Sequence, residues 1–239
     1  CHPWESGTDD SPRWDDFCPG GFTKKRWKKQ KNFLVETIKR STDGSPIHNP
    51  EFQVASIGFN ALVAFNAREL ASVTRDKNMA DLANELVHAI AKRWDESSYT
   101  WVDAGPHANR SGKCRTLDAL LPLLVIDKKQ LPSKLIEQLD SVEAFRGQFG
   151  PRGVHQREKV FDPQKYWRGP VWPQLSYLMS LAVSRFDLKT AEQLALATIE
   201  GAKVSGFAEY WHPETGKGLG AIPQSWTGIS LVSAKRLFG

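Results

Sequence analysis

The chain has 239 residues, 40% of them hydrophobic, and a formal net charge of +5. That length suits one sizeable soluble domain, and its longest apolar runs fall far short of the roughly 20 residues that cross a bilayer. The charge does not mark a nucleic-acid reader, because Lys24, Lys25, Arg26, Lys28, Lys29 and Lys31 lie in one acid-free run and exceed the whole surplus. A phosphate-binding surface spreads its cations over a face. This run reads as a solvated basic loop or helix face, with nucleic acid or acidic lipid as the alternative.

Residues 1–23 have many breakers and little periodicity, and read as a functional loop. Within it, Trp4-Glu5-Ser6-Gly7-Thr8-Asp9-Asp10-Ser11-Pro12-Arg13-Trp14 sets Glu5, Asp9, Asp10 and Arg13 between two tryptophans. Asp10 or Ser11 can cap a helix whose first position is Pro12, which does not explain the density of charge. Residues 24–50 are basic and then turn-like, with Asp43-Gly44-Ser45-Pro46 and Asn49-Pro50 as breakers.

From Phe52 to Arg75 the pattern is helical. Phe59, Val63, Asn66, Leu70 and Val73 form one stripe, while Ile57, Ala61, Leu62 and Phe65 cover much of the remaining circumference. A helix apolar nearly all round is expected to be buried on several sides. Met79 to Arg93 is a more amphipathic partner, with Met79, Leu82, Leu86 and Ile90 on one stripe. A short hairpin is expected over Trp94–Asp103, an irregular helix over Leu117–Val125 near Pro122, and another helix over Pro132–Asp140. Residues 145–170 form a Gly-, Pro- and Arg-rich loop too long to lack a purpose. Helices resume at Pro173–Arg185, Leu188–Val204 and Thr227–Phe238. No clear strand run appears. The sum is an all-α chain of helical hairpins with functional loops at one end.

Three cysteines, Cys1, Cys18 and Cys114, are odd in number and widely spaced, and read as free thiols. The six histidines lack metal-ligand spacing, so neither a metal nor a cofactor is expected. Nine tryptophans are the more informative excess. Trp4, Trp14, Trp167, Trp172, Trp211 and Trp226 sit in or beside breaker-rich loops, where a binding surface is the expectation.

Two further stretches concentrate chemistry. In Tyr166-Trp167-Arg168-Gly169-Pro170-Val171-Trp172-Pro173, the planar fork of Arg168 can grip vicinal hydroxyls or orient a carboxylate. The bland reading is an arginine salt-bridged beneath a tryptophan-packed loop. In Gly206-Phe207-Ala208-Glu209-Tyr210-Trp211-His212-Pro213, Glu209 stands among aromatic rings, while the competing Glu214 lies in a turn. Aromatic faces beside carboxylates indicate a sugar site, and glycoside chemistry needs a second carboxylate.

The three motifs, with Gly216-Lys217-Gly218-Leu219-Gly220 and Ser225-Trp226-Thr227-Gly228 after the last, resemble in kind and order those of (α/α)6-barrel glycosidases. The similarity is to glycoside hydrolase family 63, above all its mannosylglycerate and glucosylglycerate hydrolase branch, and more distantly to trehalases. It spans Trp4 to Gly228. The resemblance implies Asp9 as general acid, Glu209 as general base, and Trp4, Tyr166, Trp167, Arg168, Trp172, Tyr210, Gln224 and Trp226 as substrate-binding residues. Asp10 stands where relatives often carry another residue. The implied activity is inverting hydrolysis of an α-glucoside or α-mannoside, with no cofactor and a glycoside or small glycosyl-acid as partner. The rivals are a noncatalytic carbohydrate-binding or scaffold protein and a phosphorylase on the same barrel.

An inverting pair requires roughly 6.5–9.5 Å between its carboxyl groups, so positions 9 and 209 must meet across a cleft. The helices counted here fall short of six hairpins. Residues 1–239 are therefore expected to form one glycosidase domain that is the C-terminal portion of an (α/α)6 toroid, an incomplete barrel lacking its N-terminal half. Such a fragment is expected to be inactive alone, to expose inner faces of helices such as Phe52–Arg75, and to reside in the cytoplasm.

Overall fold

In the computed structural model, which describes residues 2–238, two helix hairpins flank a buried 3-10 segment. The first pairs α2 (Ile57–Thr74) with α3 (Lys77–Ala91). Their tight junction follows from local chemistry. Arg75 ends α2 in the left-handed conformation, and the Asp76 carboxylate caps α3 by accepting from the N–H groups of Asn78 at 2.8 Å and Met79 at 3.3 Å. The second pairs α5 (Pro173–Val183) with α6 (Leu188–Val204), the latter capped by Asp187 on the Thr190 N–H at 3.1 Å. The last helix, α7 (Ile229–Phe238), packs against both α5 and α6. The helix expected over Pro132–Asp140 is shorter, α4 (Leu135–Asp140).

Asp118–Leu124 is the 3-10 segment, buried throughout and packed on α2 and α5. Pro122 lacks an N–H and interrupts α-helical bonding there, as the sequence indicates. The buried carbonyls at and just beyond the segment's C-terminal end are satisfied by arginines from both hairpins. Arg68 donates to Val125 O at 3.2 Å, and Arg185 to Leu123 O at 2.5 Å and Ile126 O at 2.9 Å.

That segment explains a departure from the expected core. The face of α2 that is buried is Ile57, Gly58, Ala61, Ala64 and Ala67, not the stripe of larger residues. A side chain at Gly58 would collide with the Asp118 backbone, so small residues let the segment approach. Phe59, Leu70 and Val73 are exposed, Val73 by 82%. On α3 the inward residues are Ala83 and Ile90, with Leu86 and Val87 packed alongside, while Leu82 is exposed.

The basic run is a helix, α1 (Lys24–Glu36), capped by Thr23 on the Arg26 N–H at 3.2 Å. Its inward stripe is Trp27, Lys31 and Leu34. Lys31 therefore departs from the solvated reading of that run. Trp27 and Leu34 join Trp14, Phe17, Phe52 and Val54 in a second apolar cluster, which seats residues 8–17 on α1.

Four antiparallel ribbons of two- and three-residue strands complete the described residues: β1–β2 (Lys39–Arg40, Pro46–His48), β3–β4 (Trp94–Asp95, Thr100–Trp101), β5–β6 (Arg146–Gly147, Gly150–Pro151) and β7–β8 (Tyr210–Trp211, Gly218–Leu219). The second is the hairpin expected from sequence, with Trp94 opposite Trp101. The loop tryptophans correct another expectation. Trp14, Trp167, Trp172 and Trp211 are buried, and only Trp4 and Trp226 of the six are well exposed. Each buried indole is a large apolar body that packs a segment with little regular structure of its own, a short ribbon in the case of Trp211 and a 3-10 turn in that of Trp14.

Candidate active site

Three successive residues of the first motif are each held by a different side chain. The Trp14 indole N–H donates to Thr8 O at 2.8 Å and the Trp27 indole to Asp9 O at 2.8 Å. Lys31 Nζ pairs with Asp10 Oδ1 at 2.6 Å. Just beyond, Ser11 caps the short 3-10 helix Pro12–Phe17, one of the two caps read from sequence. Arg13 is buried there and forks onto Asp103, at 2.6 Å, and Asp118. Asp103 also accepts from the Ile57 N–H at 2.8 Å. This polar hub ties the first motif to the start of α2 and to the buried 3-10 segment.

The second and third motifs are clamped together by an isolated β-bridge. Val171 N–H donates to Trp211 O at 2.9 Å, and Trp211 N–H returns the bond to Val171 O at 3.2 Å. The neighbouring residues are thereby brought face to face. Trp167 stacks on Trp172 with centroids 4.0 Å apart, and Trp172 stacks on Tyr210 at 4.6 Å. Tyr166 meets Trp172 and Tyr210 edge-on at 5.2 and 5.5 Å. Trp167 and Phe207 both hold left-handed backbone conformations, φ 60° and 57°, rare for bulky residues and found where a site over-determines its geometry.

Glu209 follows that turn by two residues. Its N–H donates to Ala221 O at 2.8 Å, and its carboxylate Oε2 accepts from the Ala221 N–H at 3.1 Å. The exposed Trp226 donates its indole N–H to Glu209 O at 3.2 Å. Gln224 N–H bonds Phe207 O at 2.7 Å, and the side-chain oxygen of Gln224 caps Ser225 at 2.9 Å.

Charge pairing separates the carboxylates of this region. Asp10 is paired with Lys31, Asp15 with Arg168, and Glu214 with the buried Arg152 at 2.5 Å. Neither Asp9 nor Glu209 has a salt-bridge partner among the described residues. Burial raises the Asp9 pKa above the usual aspartate range; nearby Lys31 opposes this, while the charges of Asp10 and Glu209 add to it. Burial, with the charges of Asp9 and Glu209, pushes the Tyr166 phenol up to about 12. Burial, then Glu209 and Asp10, raises Tyr210. Asp9, Glu209, Tyr166 and Tyr210 thus share one electrostatic neighbourhood, although their sequence positions run from 9 to 210.

A cavity of about 700 Å³ opens beside it, lined by Asp10, Asp15, Lys24, Lys159, Tyr166 and Tyr210 among others. Arg168 lies on its wall, but the guanidinium is bidentate on Asp15, 3.0 Å for the Nη1–Oδ2 bond, and covers the Phe22 ring at 3.4 Å. Both terminal nitrogens are thus committed to protein, which is the bland alternative for this residue. Trp172 is likewise enclosed between Trp167 and Tyr210, and Trp167 is buried beneath it. Trp4, Trp226 and Tyr166 keep exposed surface. Asp15, Phe22, Trp27 and Lys31 escaped the sequence reading. Trp27 and Lys31 were findable, since an i, i+4 pair shares a helix face. No trio of His, Cys, Asp and Glu side chains suited to a metal occurs among the described residues.

Residues 1–227 match the family model described as the mannosylglycerate hydrolase MGH1-like glycoside hydrolase domain. The chain is 27% identical to the glucosylglycerate hydrolase of Mycolicibacterium hassiacum, over 97% of this chain and 60% of that protein. It is 24% identical to the mannosylglycerate hydrolase of Thermus thermophilus, over 95% and 61%. The fold superposes on a GH63 mannosylglycerate hydrolase from Thermus thermophilus in complex with glucose with a TM-score of 0.79 at 22% identity, covering 98% of this chain and 61% of that one. The same enzyme with Tris and D-glycerate gives 0.80 at 21%, covering 98% and 64%. The chain spans about 60% of the length of these relatives, and its hairpins correspond to part of their (α/α) toroid. The chain belongs to the mannosylglycerate hydrolase MGH1-like glycoside hydrolase family.

Proposed function

We propose that the protein is an inverting glycosidase that hydrolyses an α-glucoside or α-mannoside of glycerate or a similar small acid. Asp9 is the general acid that protonates the leaving oxygen, and Glu209 is the general base that activates water on the opposite face of the sugar. The observation that carries this reading is the unequal pairing of carboxylates. Asp10, Asp15 and Glu214 are neutralised by cations, while Asp9 and Glu209 stand without one among the described residues. Glu5 is equally cation-free among these residues but exposed, whereas Asp9 is partly buried and that burial raises its pKa. A general acid needs a pKa above the ordinary carboxylate value, and burial moves Asp9 in that direction.

An anionic leaving group suits the cavity beside the Asp9 loop. Its carboxylates Asp10, Asp15 and Asp162 are matched by Lys31, Arg168 and Lys165. Lys24 and Lys159 remain on its wall without a carboxylate partner among the described residues. Tyr166, Tyr210, Trp4 and Trp226 are the side chains placed to contact the sugar. Arg168, Trp167 and Trp172 shape the wall that holds them, and Gln224 supports the turn into the last helix.

The test is turnover of α-glucosylglycerate and α-mannosylglycerate by the wild type, Asp9→Asn and Glu209→Gln, with the anomer of the first product read by NMR. The expected result is inversion and a loss of about 10³-fold or more in each variant. Full activity in both variants would overturn the assignment, and turnover that depends on added phosphate would move the reaction to phosphorolysis.

A further inference from the structure

The Lys31–Asp10 pair performs no step in the proposed hydrolysis, yet it is buried beside Asp9. We infer that Lys31 is a positioning residue for Asp9, holding the acid-bearing loop through Asp10 and cancelling a carboxylate charge that would otherwise stand beside the acid. This rests on the reading of Asp9 as the acid.

The geometry is that of a two-point grip from one helix. Trp27 and Lys31 lie one turn apart on the inward stripe of α1. The first holds Asp9 O at 2.8 Å and the second Asp10 Oδ1 at 2.6 Å. The ammonium is itself confined, 5.6 Å from the Trp4 ring centroid and 6.0 Å from that of Trp27. His2 Nε2 lies 3.1 Å from Lys31 O, tying that helical turn to the chain before the motif. Taking a lysine and an aspartate out of water is costly, and the arrangement is sustained only where the pair is well formed.

Its electrostatic consequence follows from the charges facing Asp9. They are Lys31 from α1, Asp10 from the same loop and Glu209 from the loop after α6, with the neutral Tyr166 phenol from the loop before α5. Lys31 and Asp10 act on Asp9 in opposite directions, and their pairing keeps the two effects balanced. Removing either member alone exposes the other.

The variants Asp10→Asn, Lys31→Gln and the double variant test this by two readouts. One is the alkaline limb of the kcat/KM pH profile on α-glucosylglycerate. The other is a 13C titration of the Asp9 carboxyl, which needs no turnover. Asp10→Asn is expected to lower both by about half to one pH unit, Lys31→Gln to raise both similarly, and the double variant to return near wild type. A structural pair without influence on Asp9 would leave the carboxyl titration unmoved, or shift it the same way in both single variants, and either result overturns the inference. If the titration moves in opposite directions and the rate profile does not follow, the tuning stands and the reading of Asp9 as the acid falls. Should Lys31→Gln not fold, Asp10→Asn and the double variant carry the same comparison.

Discussion

Gly220 lies directly against Glu209. A Cβ at position 220 would collide with the Glu209 carboxylate and stand 2.7 Å from Tyr210 Cε1, and the residue also holds φ at +72°. Both reasons exclude a side chain. Gly220→Ala is expected to reduce kcat by about 10-fold or more by displacing the proposed base. Its backbone strain should cost about 1 kcal/mol of stability. Kinetics with a parallel melting curve checks this, and a variant with normal kcat would show that Glu209 needs no such clearance.

Asp9 links activity to stability. Its folded pKa lies above the ordinary 3.8, so the folded chain binds more protons than the unfolded one between 3.8 and the raised value. Stability from this group therefore falls as pH rises through that window, and at neutral pH the ionised Asp9 is a destabilising charge. Asp9→Asn should raise the melting temperature at pH 7 while abolishing hydrolysis, and the gain should vanish below pH 3.8. Equal melting temperatures at pH 7 would count against a desolvated Asp9.

His155 gives the opposite slope. Burial, and then the adjacent Arg115, lower its pKa to about 4 from 6.5. The unfolded chain takes up the proton first as pH falls, so stability is lost between about 6.5 and 4. His155→Gln is expected to flatten the melting temperature across that interval. A wild-type curve already flat there would refute the prediction.

Arg168 offers a test of fork against contact. Its terminal nitrogens are bound to Asp15 and its plane covers Phe22. Arg168→Lys keeps the charge but loses the bidentate geometry and the flat stacking. It should destabilise the fold by roughly 2–3 kcal/mol, and Asp15→Asn should reproduce most of the loss. If Asp15→Asn leaves both melting temperature and KM unchanged while Arg168→Lys raises KM, then Arg168 grips the sugar directly.

Glu214 marks the control carboxylate. It pairs with Arg152, which is almost wholly buried and also donates to Val142 O at 2.9 Å. Glu214→Gln should lower the melting temperature with kcat nearly unchanged. A kcat loss matching that of Glu209→Gln would transfer the role of base to Glu214.

The sequence by itself determined the hairpins, their caps and the three loop motifs, because periodicity, Asp76, Asp187 and Pro173 act within a few residues of chain. It also singled out Glu209 by its aromatic surroundings, whereas Asp9 was picked out from Glu5 and Asp10 only by the resemblance to a family. What only the tertiary structure decided is who neutralises whom. Asp15 and Arg168 are 153 positions apart, Arg152 and Glu214 are 62, and Lys31 reaches Asp10 only because α1 folds back on the first motif. The same holds for the tryptophans, whose loop positions suggested open surface until Trp167, Trp172 and Trp211 were drawn under the Val171–Trp211 bridge. Local propensity is set by neighbours along the chain, whereas ion pairing and burial are set by neighbours across it, and those depend on how the hairpins pack.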